Sequence, residues 1–166
     1  MKKILIILML LNIVLCSSVL LKENKKFVMY KTITNNYVEK TNDSLCEDSL
    51  SKFINDANLR FPEVVYAQCI IESAHLKSNL SKNNNNLLGM KHPGQRATAS
   101  IGKKNGYAHF VSWKMCILDY AIWQTKFAKS CNTQDDYLDL LSRVYASDKN
   151  YRNKIISLIN EFRKEK

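Results

Sequence analysis

The residue best placed to do chemistry is Glu72. It closes an apolar run, Val64-Val65-Tyr66-Ala67-Gln68-Cys69-Ile70-Ile71, that reads as a helix buried on nearly every face, and Ser73 follows it directly. A carboxylate at the end of such a helix is costly to bury in its charged form, so desolvation raises its pKa. A carboxyl group kept neutral near pH 7 serves as a general acid. On helix position alone, an exposed glutamate, or one paired with Lys77 or Lys91, explains the residue at least as well. Other chemistries lack their residues. The three histidines (His75, His92, His109) form no H-E-x-x-H and the cysteines no C-x-x-C, so no zinc site is recognisable. With four glycines and neither G-x-G-x-x-G nor G-x-x-x-x-G-K-[ST], a glycine-rich nucleotide-binding fold is disfavoured. No metal or organic cofactor is implied.

The elements that must hold Glu72 follow from periodicity and punctuation. Ser44 to Arg60 carries apolar residues at helical spacing (Leu45, Leu50, Phe53, Ile54, Ala57). Pro62 suits the first position of the next helix, and Glu63 complements its N-terminal dipole. Lys77 to Asn86 reads as a polar loop, followed by Leu87-Leu88-Gly89-Met90-Lys91 and a Pro93-Gly94 turn. Ala97 to Ser112 reads as a hairpin around Asn105-Gly106, a type I′ dipeptide. Ser112 is placed to cap a helix from Trp113 to Phe127. Thr133-Gln134-Asp135-Asp136 resembles a capping box, opening a helix through Val144, and Tyr151 to Arg163 makes the last one. The fold class expected is α+β, predominantly helical, with a small β-hairpin lobe inserted between helices.

The chain has 166 residues, one domain's length, and its 46% hydrophobic and 24% charged residues exclude wholesale disorder. Residues 1–21 differ in kind: Lys2 and Lys3 precede the uncharged stretch Ile4 to Leu21. That pattern fits a cleaved signal peptide, a retained anchor, or a lipoprotein signal with Cys16 as the lipidated residue. Leu15, where a small residue is expected, counts against the third. Export to the periplasm, cell envelope or outside is expected, with membrane anchoring through residues 4–21 as one outcome. Residues 22–43, rich in Lys and Asn, read as a linker, and 44–166 as the domain. The chain carries a formal charge of +10, which suits an anionic wall or membrane and, given export, disfavours nucleic acid. Beyond Cys16 the four cysteines allow three disulfide pairings. Cys69 and Cys116 lie among apolar residues, where a thiol acts as a small hydrophobe, so no disulfide is assumed.

Four segments in order carry a resemblance. Ala67-Gln68-Cys69-Ile70-Ile71-Glu72-Ser73 with Lys77-Ser78, then Asn86-Leu87-Leu88-Gly89-Met90-Lys91, then Asp119-Tyr120-Ala121, then Tyr145-Ala146-Ser147-Asp148-Lys149-Asn150-Tyr151, are similar to the signature of glycoside hydrolase family 73. These are endo-β-N-acetylglucosaminidases of the autolysin and flagellar muramidase type, and the likeness runs from about Phe53 to Ile159. It implies a lysozyme-like fold with a glycan groove between a helical lobe and a β-lobe that acts on peptidoglycan strands. Separately, a monomer is expected, although the sequence does not fix the oligomeric state. The implied reaction is cleavage of the N-acetylglucosaminyl-β-1,4-N-acetylmuramic acid bond. Matched by position, Glu72 is the acid and Tyr145 the tyrosine that orients the sugar's acetamido group. Ser73, Asn86, Gly89 and Lys91 would shape the groove. Tyr107, Phe110 and Trp113 are candidates for stacking on sugars, though their spacing suits a hairpin core equally, and Trp123 and Phe127 are assigned to packing.

The sequence departs from the family in one respect. Many members carry a second carboxylate in the β-lobe, yet Ser73 to Leu118 contains no Asp or Glu, and Asp119 sits on the following helix. Two mechanisms work with a single carboxyl group. One is substrate assistance, in which the 2-acetamido oxygen attacks the anomeric carbon; the other is lytic transglycosylation, in which the sugar's own 6-hydroxyl does so. A catalytically inert wall-binding protein is the alternative outside enzymology.

Overall fold

The computed structural model describes residues 44–145 and 148–164. The signal or anchor reading of residues 1–21 and the linker reading of 22–43 fall outside the described residues. Six helices and one hairpin follow in order: α1 (Glu47–Asp56), α2 (Pro62–Glu72), α3 (Asn79–Asn84), β1 (Gly102–Lys104), β2 (Tyr107–His109), α4 (Trp113–Phe127), α5 (Gln134–Val144) and α6 (Tyr151–Lys164). The α+β, mostly helical architecture expected from the sequence is the one found. Among the described residues no helix is long and apolar enough to cross a membrane.

Helix α2 lies at the centre. Val64, Val65, Ala67, Cys69 and Ile70 are fully buried, so this helix meets neighbours on every side. It packs most extensively on α6 and next on α1. Amphipathic α1 buries only Leu50, Phe53 and Ile54. Pro62 occupies the first turn of α2, where its missing N–H is not needed. Phe61 before it takes a left-handed backbone (φ 54°) and stacks on Tyr137 with ring centroids 5.0 Å apart. Arg60 reaches across to the end of α4, donating to the Ala128 carbonyl at 2.6 Å and to the Cys131 carbonyl. This guanidinium satisfies carbonyls that the helix terminus leaves unpaired.

The punctuation signals hold in detail. Ser112 accepts from the Met115 amide, and Thr133 and Asp136 form both halves of a capping box. Asn105 and Gly106 both take positive φ (53° and 77°), as a type I′ turn requires. The strands pair antiparallel, with Lys103 opposite Ala108, and are shorter than the stretch Ala97 to Ser112. One segment differs from expectation. Within the polar run Lys77 to Asn86 a short helix, α3, forms, capped by Ser78 accepting from the Ser81 amide and ended by left-handed Asn85. Its composition lacks an apolar stripe because the helix is held by polar contacts. Asn84 Nδ2 donates to the Lys104 carbonyl at 2.8 Å, and the Asn84 carbonyl receives the Phe110 amide at 2.9 Å. Helix α3 thereby ties the helical lobe to the hairpin.

Candidate active site

Glu72 is the last residue of α2, half-buried at the edge of the core. Its Oε1 accepts a 2.8 Å hydrogen bond from the Tyr151 hydroxyl, at the first residue of α6. Burial raises the Glu72 pKa above the ordinary carboxylate range, while the Tyr151 bond, by favouring the charged form, pulls the other way. Burial wins, so the carboxyl group holds its proton to a higher pH than a free glutamate.

Tyr151 is the end of a buried chain. Gln68 Nε2 donates to the Tyr151 hydroxyl at 3.3 Å, and Gln68 Oε1 accepts from Tyr120 at 2.6 Å. Tyr120 and Tyr137 hydroxyls meet at 2.6 Å, and Gln124 donates to Tyr137 at 2.8 Å. Because Tyr120 spends its proton on Gln68, Tyr137 is the donor in that pair. Every member therefore has one allowed orientation, and Tyr151 is left pointing its proton at Glu72. The chain joins α2, α4, α5 and α6, so the acid is positioned by four helices together. Sequence reasoning missed Tyr151, which it treated only as the close of a motif and the start of a helix.

The Tyr151→Phe variant checks this arrangement. Removing a hydrogen bond that favours the carboxylate is expected to move the alkaline limb of the activity profile to higher pH, while kcat falls. Gln68 also loses its acceptor, at a cost of about 1–3 kcal/mol in urea unfolding. An unchanged limb would mean that the bond does not form in solution.

The loop facing Glu72 is held by Asn86 and Tyr145. Buried Asn86 accepts from the Met90 amide at 3.0 Å and donates to the carbonyls of Met90 (2.9 Å) and Ala108 (3.0 Å), clamping the loop to β2. Tyr145 donates its hydroxyl to the Leu88 carbonyl. Between them Gly89 turns with φ +63°, and a Cβ there would lie 3.8 Å from Glu72 Oε2. Glycine is thus required by the backbone conformation rather than by the space. Burial, then the neighbouring Tyr151 and Glu72, push the Tyr145 hydroxyl well above the usual phenol range, so it stays protonated.

The remaining expected site residues divide. Ser73 is buried and accepts from the Leu76 amide at 2.8 Å, shaping the turn after Glu72. That turn runs through three consecutive left-handed residues, Ala74, His75 and Leu76 (φ 50°, 53° and 63°). Such backbone costs non-glycine residues about 1–2 kcal/mol each. Since Ala74 is exposed, Ala74→Gly is expected to raise stability by about 0.5–1 kcal/mol after the entropy of the unfolded glycine is subtracted, read as a higher urea midpoint at constant m. Lys91 lies 3.2 Å over the Tyr107 ring, so this pair is made with each other at the hairpin. Trp113 is only 8% exposed and packs edge-on to Phe53 at 5.4 Å, and Phe110 is fully buried, which places both in the core rather than on the groove. Asp119 is fully buried in a two-pronged pair with Arg96 (3.0 and 2.6 Å) and accepts from the Ala99 amide at 2.8 Å. Paired with a guanidinium at that depth, it is shielded from water and held in the ion pair rather than presented to a substrate. Among the described residues no group of three or more His, Cys, Asp or Glu is placed to hold a metal ion.

The Gly89 loop and Tyr145 line a groove of about 430 Å³ that continues past Trp123 and Phe127. Glu72 is not part of its lining and adjoins it behind Gly89. A separate cavity of about 370 Å³ between α1, α2 and α6, lined by Tyr66 and Phe162, contains neither Glu72 nor Tyr145. With a raised-pKa glutamate at the end of a buried helix beside such a groove, comparison with known proteins becomes informative. Residues 53–164 match the glucosaminidase family, described as mannosyl-glycoprotein endo-beta-N-acetylglucosaminidase.

The chain belongs to this family.

No curated protein matches it with significance. Among solved structures, the catalytic domain of the autolysin Auto from Listeria monocytogenes is similar, with a TM-score of 0.52 and 21% identity over 80% of this chain and 94% of that one. An N-acetylmuramoyl-L-alanine amidase from Staphylococcus aureus has a TM-score of 0.52 at 23% identity, covering 69% of this chain and 39% of that one. A type VI secretion system effector-immunity complex from Pseudomonas protegens gives a TM-score of 0.50 at 16% identity, covering 69% and 86%. These likenesses establish the lysozyme-like fold of the glucosaminidase. As a member of the family, the chain is a glycoside hydrolase.

Proposed function

We propose that this glucosaminidase cleaves the N-acetylglucosaminyl-β-1,4-N-acetylmuramic acid bond of bacterial peptidoglycan, with Glu72 as general acid. The observation that carries the reading is Glu72 itself: a half-buried carboxyl group, its pKa raised by burial, aimed by Tyr151 and facing the Gly89 loop. The basic composition and the apolar residues 4–21 support an anionic polymer outside the cytoplasmic membrane as the substrate.

One carboxyl group has to serve two steps. In the first, the acetamido carbonyl oxygen bonds to the anomeric carbon, the glycosidic bond breaks, and Glu72 gives its proton to the departing oxygen. In the second, Glu72, now a carboxylate, takes a proton from water as that water attacks the anomeric carbon and opens the oxazolinium ring. Tyr145 is retained as the residue that orients the acetamido group: its one proton holds the Leu88 carbonyl, which leaves the hydroxyl oxygen to accept from the acetamido N–H. The bidentate pairing of Asp119 with Arg96 supports this scheme over a two-carboxylate one.

The test is digestion of purified peptidoglycan, followed by borohydride reduction and mass spectrometry of the released fragments. Reduced N-acetylglucosamine ends are expected. Anhydro-muramic ends would assign the chain to lytic transglycosylation instead, and release of nothing by a protein that sediments with the wall would make it a binder.

A further inference from the structure

We propose that Phe127, backed by Trp123, and Lys126 form a platform for a peptide-bearing sugar of the glycan strand, with Lys126 pairing with a carboxylate of its stem. This inference rests on the peptidoglycan reading and adds to it a preference for stem-substituted strands.

Three observations carry it. The first is an aromatic stripe at i, i+3 and i+7 on one face of α4. Tyr120 is fully buried, Trp123 stacks on it nearly parallel (5.2 Å, 12°), and Phe127 follows at 5.3 Å from Trp123. Exposure rises along this stack until Phe127, the outermost ring, is 45% exposed, and neighbouring Val144 is 58% exposed. Packing does not account for apolar groups of that size left in water beside a groove. The C–H face of a pyranose fits such a ring, as it combines apolar contact with hydroxyl groups that stay wet.

The second observation is continuity with the acid. The same groove is lined by Gly89, which faces Glu72, and by Tyr145, whose ring meets Trp123 edge-on at 5.7 Å. A strand seated on Phe127 therefore runs toward the reacting bond. The third is charge. The groove is lined by Lys91, Arg96 and Lys126 and by no Asp or Glu. Arg96 is engaged by Asp119 and Lys91 by the Tyr107 ring, whereas Lys126 is exposed with its ammonium 5.4 Å from the Phe127 ring. A neutral sugar strand offers an exposed cation at that position no counter-charge; a muramyl residue carrying a peptide supplies carboxylates beside its apolar sugar face.

The experiment uses the full chain on two soluble substrates: glycan strands with their stems, and the same strands stripped of stems by an amidase. At low salt the stem-bearing strands are expected to give a kcat/KM about threefold to tenfold higher, a preference that shrinks as salt screens the pair. Lys126→Glu is expected to abolish or invert that ratio. Phe127→Ala is expected to raise KM about tenfold on both substrates with a smaller change in kcat. Equal rates on the two strands, or a ratio unmoved by Lys126→Glu, would overturn the platform while leaving the hydrolase reading intact. An unchanged KM in Phe127→Ala would do the same. Digestion of neither strand by the unaltered protein would overturn the hydrolase reading, and the platform with it.

Discussion

Replacing Glu72 by glutamine is expected to lower turnover about 10³-fold or more, with the fold and glycan binding retained. The size of the effect follows from the double duty assigned to this group. Where two carboxylates divide the work, losing one leaves the other's contribution; here protonation of the leaving oxygen and activation of water are lost together. Glutamine keeps the shape and still accepts the Tyr151 proton, so the buried chain through Gln68 and Tyr120 stays satisfied. Stability gives an independent check. The folded-state pKa of Glu72 is raised by burial, so its contribution to stability is fully present below the ordinary glutamate range and is lost as pH rises through the folded pKa. At neutral pH the unaltered protein bears that penalty and the glutamine variant does not. Urea unfolding at pH 7 should therefore show Glu72→Gln to be as stable as the parent or more so. A variant both inactive and unfolded would mean that the glutamate is a structural element.

Asp119→Ala is expected to produce the largest loss of stability, about 3–5 kcal/mol. The substitution leaves the Arg96 guanidinium, 8% exposed, without its counter-charge, and the Ala99 amide without an acceptor. Both lie at the base of the hairpin lobe, so the segment that carries Arg96 on the groove loses its anchor to α4. The unpaired charge can be separated from the missing contacts by a double substitution. Arg96→Met with Asp119→Leu removes both charges and is expected to recover most of the loss, whereas Asp119→Ala alone does not. Equal losses in the single and double variants would show that packing at this site outweighs the ion pair.

Much of this architecture is written in local backbone preferences, which a sequence displays openly. Pro62, Ser112, the Thr133–Asp136 box and Asn105-Gly106 each dictate a conformation within a few residues, and each element begins or turns where they place it. Glu72 was legible for a related reason, since an acid ending an apolar helix conflicts with its surroundings. What the sequence did not display are contacts between distant residues. Tyr151 meets Glu72 across 79 positions, and nothing near either residue signals the other. Periodicity shows which side chains share a helix face but not what that face looks upon. Hence Trp123 and Phe127 read as packing while Phe127 lies open on the groove, and Trp113 read as a candidate for sugar stacking while it lies in the core. Helix α3 escaped notice because polar side chains, Ser78 and Asn84, hold it in place of an apolar stripe.

The measurement that bears most directly on a single-carboxyl mechanism compares normal peptidoglycan with the same wall after removal of acetyl groups from its glucosamine residues. With Glu72 as the one working carboxyl group, the acetamido oxygen is the nucleophile. De-acetylated strands are then expected to bind but to be cut about 10²-fold more slowly or not at all, with the bonds flanking residual acetylated sugars cut first. Cleavage of both walls at the same rate would contradict the account, because it would require a protein nucleophile or base that the pairing of Asp119 with Arg96 does not leave free.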